Sequence, residues 1–133
     1  MCAGCWYPIY ARGLAYEALS KRELAIQDFE RVMRMDPTFH PAYNELAWLM
    51  ATTETPPFRD GERALQLATK ACEMTGWKNY KYLETLAAAY ARTGDFKHAT
   101  EWEQRAMASQ DAPKEAMQQR LQFYRDGKAW PAD

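Results

Sequence analysis

The residues in this chain whose types and spacing do chemistry are few and scattered. Cys2 and Cys5 form a C-x-x-C. At that spacing two thiols serve as a redox pair or as half of a tetrahedral zinc site. The redox use needs a strand leading into the pair, and no strand pattern precedes it. The zinc use needs two further ligands, and Cys72, His40 and His98 stand singly, with no second pair at metal spacing. The pair is therefore expected to be inert, with no metal and no cofactor. His40 lies in the turn PTFHPAY and His98 among polar helix positions, neither beside a nucleophile. Glu101 and Glu103 suggest paired carboxylates, but on a helix they point about 200° apart. They read as part of a solvated face. There is no phosphate-cradling glycine loop, no G-x-S-x-G and no H-E-x-x-H. The expectation is a protein without catalysis.

Bulk composition narrows the partner. The chain has 133 residues, 47% hydrophobic and 14% aromatic, which suits one domain with a continuous core rather than disorder. The net charge of −1 argues against nucleic acid, whose phosphates call for a basic patch. No apolar run reaches bilayer length and no export signal is visible, so a cytoplasmic protein away from membranes is expected. Three cysteines, an odd number, do not make a disulfide framework. Cys72 reads as a small core hydrophobe.

The elements are clearest in LETLAAAYARTGDFKHATEWEQRA, from Leu83 to Ala106. Leu83, Leu86, Ala87 and Tyr90 recur at i, i+3, i+4 and i+7, one face of a helix. Phe96, Ala99, Trp102 and Ala106 form a second stripe. Gly94 between them takes φ > 0 to stop the first helix, and Asp95 N-caps the second. Alanine at the crossing lets two backbones approach to about 8–10 Å. One such hairpin cannot bury its own apolar face, so copies are expected.

Copies are present. Gly13, Tyr16, Ala25, Phe29, Val32 and Pro37 repeat the pattern upstream. Tyr43, Leu46, Ala47, Met50, Ala64, Ala68 and Ala71 repeat it between. Gly13 to Ala47 is 34 residues, while Ala25 to Ala64 is 39, so five extra residues fall inside the second hairpin, in TTETPPFRDG. On these residues the chain resembles the tetratricopeptide repeat family from Tyr7 to Ala108. It departs from the family pattern at Met50, where tyrosine is usual, and at Gly76, where proline is usual. The stretch from Phe58 to Trp102, with RLQFYRDGKAWP after it, is similar to the C-terminal segment of many bacterial tetratricopeptide proteins.

The resemblance implies an all-α, right-handed solenoid of three hairpins forming one domain over 1–133. The repeats fall at about 6–39, 40–77 and 78–111, with a capping helix at about 113–126 whose stripe is Met117, Leu121 and Tyr124. It implies a scaffold or adaptor that takes a peptide or helix of a protein partner in a concave groove lined by the first helix of each hairpin. The family's groove positions fall here on Tyr7, Tyr10, Leu14 and Glu17, then Asn44, Trp48 and Ala51, then Lys81, Glu84 and Ala88. Tyr7, Tyr10, Leu14, Asn44, Trp48, Lys81 and Glu84 are the expected partner-binding residues. Tyr7, Tyr10 and Trp48 equally suit core packing. The lysine–asparagine–arginine set that grips a terminal carboxylate in some relatives is not matched. The cap is expected to rest on the second helix of the last hairpin alone, leaving the groove to the first helices. No helix pattern precedes the aromatic-rich start of the first hairpin, so self-association through that end, or else a contact there with a missing upstream segment, is expected. Two other readings are a regulatory or targeting tail of a larger enzyme, and a small redox or metal protein using Cys2 and Cys5.

Overall fold

The computed structural model describes residues 4–131. Seven α-helices follow in order: α1 Tyr7–Ala18, α2 Arg22–Met35, α3 His40–Thr52, α4 Gly61–Met74, α5 Tyr80–Arg92, α6 Phe96–Met107 and α7 Lys114–Arg125. A single 3₁₀ turn, Pro56–Phe58, lies between α3 and α4, and there is no strand among the described residues. The fold is all-α. α1 packs on α2, α3 on α4 and α5 on α6 as hairpins; α2 meets α3, α4 meets α5, α3 lies beside α5, and α7 packs on α6.

Local chemistry sets the helix ends. Asp60 accepts from the Arg63 N–H at 3.0 Å and caps α4, and Asp95 accepts from the His98 N–H at 3.1 Å and caps α6. Asn79 caps α5 through the Lys81 N–H at 3.0 Å, so that helix starts at Tyr80, ahead of its apolar stripe. Gly94, at φ 89°, stops α5 as expected. Ser20 does the same for α1 at φ 59° in the equivalent turn. In both turns the next residue closes the helix end, Lys21 N–H on the Tyr16 carbonyl at 2.8 Å and Asp95 N–H on the Tyr90 carbonyl at 3.0 Å.

Gly13 marks the closest approach of α1 and α2. A Cβ there would lie 2.8 Å from Cε1 of Phe29, so only glycine lets the fully buried Phe29 ring reach the α1 backbone. The main core runs through Ala25, Phe29, Leu46, Ala47, Ala64, Ala68, Leu83 and Leu86, and a smaller cluster of Ala87, Ala91, Ala99 and Tyr124 sits at the C-terminal end. Met117, Leu121 and Tyr124 are all buried, so the stripe of α7 lies against the last hairpin as its spacing predicts. Cys72 is buried, a small core side chain.

The longer second hairpin is tied down both within itself and from outside. The Asp60 N–H donates to the Met50 carbonyl at 3.1 Å, and Arg92 Nε donates to the Ala51 carbonyl at 2.6 Å. Arg92 also pairs with Glu54 at 3.1 Å. An arginine from the end of α5 thus satisfies an orphan carbonyl at the end of α3.

Candidate functional site

A cleft of about 240 Å³ opens between α3 and α5 and is bounded by α7; it is lined by Asn44, Glu45, Trp48, Lys81, Glu84, Thr85 and Arg120. Helical spacing puts these side chains together. Asn44, Glu45 and Trp48 stand at i, i+1 and i+4 on α3, and Lys81, Glu84 and Thr85 at i, i+3 and i+4 on α5. Trp48 is half-buried and borders a second cleft, of about 280 Å³, with Glu17, Arg22, Thr52 and Thr53.

Arg120 of α7 organises the charge. It ion-pairs with Glu84 of α5 and reaches Glu103 of α6 from its Nε at 3.4 Å. Its guanidinium carbon lies 5.9 Å from the Trp48 ring centre and 5.7 Å from that of Trp130. Two buried carboxylates therefore share one cation. Burial pushes the Glu103 carboxyl up to about 8, against the opposing pull of Arg120. Glu84 is shifted up by the same cause and pulled back by Arg120. Oε2 of Glu103, the Tyr124 hydroxyl and Oδ1 of Asn44 are buried without a hydrogen-bond partner among the described residues.

Further along the same face, burial and then the nearby Glu45 raise Glu17 to about 7. Glu45 is shifted up by burial, with Lys81 opposing. Burial, with Glu45 second, also raises the Tyr82 hydroxyl to about 12 and shifts Tyr10 upward. Helices α1, α3 and α5 thus carry carboxylates and phenols held partly out of water.

Four of the expected residues, Asn44, Trp48, Lys81 and Glu84, meet in the smaller cleft. Glu84 meets it as the ion-pair partner of Arg120, not as a free carboxylate. Tyr10 packs near Phe39 and Phe29, ring centres 4.9 and 6.0 Å away, against the core rather than in the cleft. Tyr7 and Leu14 face solvent on α1, 60% and 37% exposed, and do not line the cleft. Two expectations are corrected. Glu103 is fully buried, not part of a solvated face. The cap does not rest on α6 alone, because Arg120 carries it across to α5 and into the cleft wall.

The other reactive types have local roles. Cys2 lies outside the described residues, and Cys5 is not a free thiol. Burial pushes the Cys72 thiol up to about 12, far from a nucleophile. His40 Nδ1 meets the Tyr82 hydroxyl at 2.7 Å, and His98 Nδ1 meets Asp95 at 2.7 Å. Among the described residues no group of three His, Cys, Asp or Glu is placed to hold a metal ion, and no helix is long and apolar enough to cross a membrane. Neither a protein-family model nor a curated protein matches the chain.

Proposed function

We propose that this chain is a three-hairpin tetratricopeptide array, a right-handed solenoid with α7 as its cap, and that it works as a non-catalytic adaptor. Its partner is a peptide or helix of another protein, held along the inner face of α1, α3 and α5. One observation carries the reading. Asn44, Trp48, Lys81 and Glu84, the positions that a repeat projection assigns to the groove on α3 and α5, line one cleft. A half-buried Trp48 supplies apolar contact area at low ordering cost. Lys81 and Glu45 at the rim give charge selectivity.

The test is an array of random-sequence peptides probed with the purified chain, with the tightest peptides re-measured in solution. Lys81→Glu, at an exposed position, should change which peptides bind while leaving the melting curve in place. Trp48→Ala should weaken the same peptides by about 2 kcal/mol or more, as central aromatic anchors do. Failure of every peptide to bind, or indifference of all binding to both changes, overturns the groove reading.

A further inference from the structure

Four of the five large hydrophobic side chains exposed in the structure belong to the first hairpin: Tyr7 at 60%, Leu14 at 37%, Leu19 at 65% and Leu24 at 40%. On α1 the pattern is sharper. Tyr7, Ala11, Leu14, Ala15 and Ala18 stand at i, i+4, i+7, i+8 and i+11, a single stripe of the helix, and all five are exposed. The stripe contains no polar residue. A solvent-facing helix surface ordinarily does.

Part of the same stripe is covered in the later hairpins. Gly13, Ala47 and Ala87 occupy one place in the three hairpins, which puts Ala11, Leu14 and Ala15 in register with Thr85, Ala88 and Ala89. Those three are buried at 3%, 1% and 0%, on a helix that lies beside α3. On α3, Leu49 and Thr52, in register with Ala15 and Ala18, are buried at 4% and 2%, while Glu45 and Trp48, in register with Ala11 and Leu14, are half-buried and line the cleft. On α5 the matching stripe is thus part of the surface packed beside α3, and on α1 it is open.

We infer that the exposed stripe of α1 pairs with the same stripe of a second copy, giving a two-fold dimer with the two α1 helices antiparallel. Charge and shape favour this occupant. An isologous contact sets like against like, so a charged stripe would repel itself. Here two charges flank the stripe: Arg12, held by both carboxylate oxygens of Asp28 at 2.9 and 2.8 Å, and Glu17, half-buried on the opposite edge. Ala11 and Ala15 at the centre permit the close crossing that alanines give elsewhere in the stack. Tyr7 near one end and Ala18 at the other are complementary in size when the helices run antiparallel. At the far end α7 already covers α6, so that end offers no matching open helix.

Sedimentation equilibrium on the full chain, from low micromolar to several hundred micromolar, tests the inference. A monomer–dimer equilibrium is expected, and Leu14→Glu should weaken it at least tenfold with unchanged helical content. Ala15→Glu, at an independent position of the stripe, should do the same. Lys97→Glu, at an exposed position on α6, should leave it as it is. A monomer throughout the range would overturn the inference and mark the stripe as the seat of a different protein. A dimer untouched by both glutamates would overturn it equally.

Discussion

Arg120 and Glu84 lie 36 residues apart in sequence and form an ion pair that joins α7 to α5, with the Arg120 and Glu84 side chains only 14% and 12% exposed. Arg120 is also the only cation within 4 Å of Glu103 among the described residues. Replacing it by a neutral chain of similar length leaves two carboxylates facing each other away from water. Arg120→Met should cost about 3–5 kcal/mol in urea unfolding, the scale of a broken buried pair. Adding Glu84→Gln and Glu103→Gln to that variant should restore much of the loss, because the stranded charges are then gone. A triple variant no more stable than the single one would show that Arg120 matters for packing rather than charge.

The shared cation has a pH signature. The Glu103 carboxyl rises from the usual 4.5 to about 8 in the folded protein. The folded state therefore holds a proton that the unfolded state releases across that window. Stability from this group is fully present below about 4.5 and is lost as pH rises toward about 8. Glu17, raised to about 7, acts in the same direction. Wild-type melting temperature should fall between pH 5 and pH 8.5. Glu103→Gln should flatten a large part of that slope and melt above wild type at the alkaline end. An unchanged slope in the glutamine variant would remove Glu103 as its source.

How far the sequence reveals this site depends on which contacts are local. The helices, their caps at Asp60 and Asp95, and the turn at Gly94 all rest on neighbours within four residues, and they are legible. Counting along two helices of a repeat places Asn44, Trp48, Lys81 and Glu84 on one side. It does not place Arg120, because nothing in α7 itself tells that its flank crosses to α5. Glu103 did carry a signal. It stands at i+4 from Ala99 and three residues before Ala106, inside a stripe of small buried residues, where a carboxylate needs a partner. Arg92 on the Ala51 carbonyl, 41 residues away, is equally invisible to local pattern.

The turn after α1 holds a residue that the backbone does not suit. Ser20 sits at φ 59°, in register with Gly94 at φ 89°. A non-glycine residue in the left-handed region costs about 1–2 kcal/mol. Glycine also gains freedom in the unfolded chain, which takes back about 0.4–1 kcal/mol. Ser20→Gly should therefore stabilise the protein by about 0.5–1 kcal/mol, read as a small rise in urea midpoint with an unaltered slope. Gly94→Ser should move the midpoint the other way. A fall in stability for Ser20→Gly would mean that the serine side chain makes a contact in the turn worth more than the strain.

The last helix joins the stability of the stack to the integrity of the cleft. Leu121 is 2% exposed, and Leu121→Ala should cost about 2–5 kcal/mol, as deletions at filled core sites do. Ending the chain after Ser109 should cost more. It uncovers the alanine-lined side of α6, and it also strips Arg120 from Glu84 and Glu103 and from the wall of the cleft. A groove made by the first helices alone would survive that truncation in whatever fraction stays folded. The geometry here says otherwise, because Glu84 would become an unpaired carboxylate beside Trp48. The truncated chain should therefore bind peptides more weakly than its folded fraction accounts for, and Arg120→Met in the full chain should share that binding defect. Circular dichroism gives the folded fraction, and titration of the best array peptide gives the affinity. If affinity per folded molecule is unchanged in both variants, α7 is a cap only, and the cleft owes nothing to Arg120.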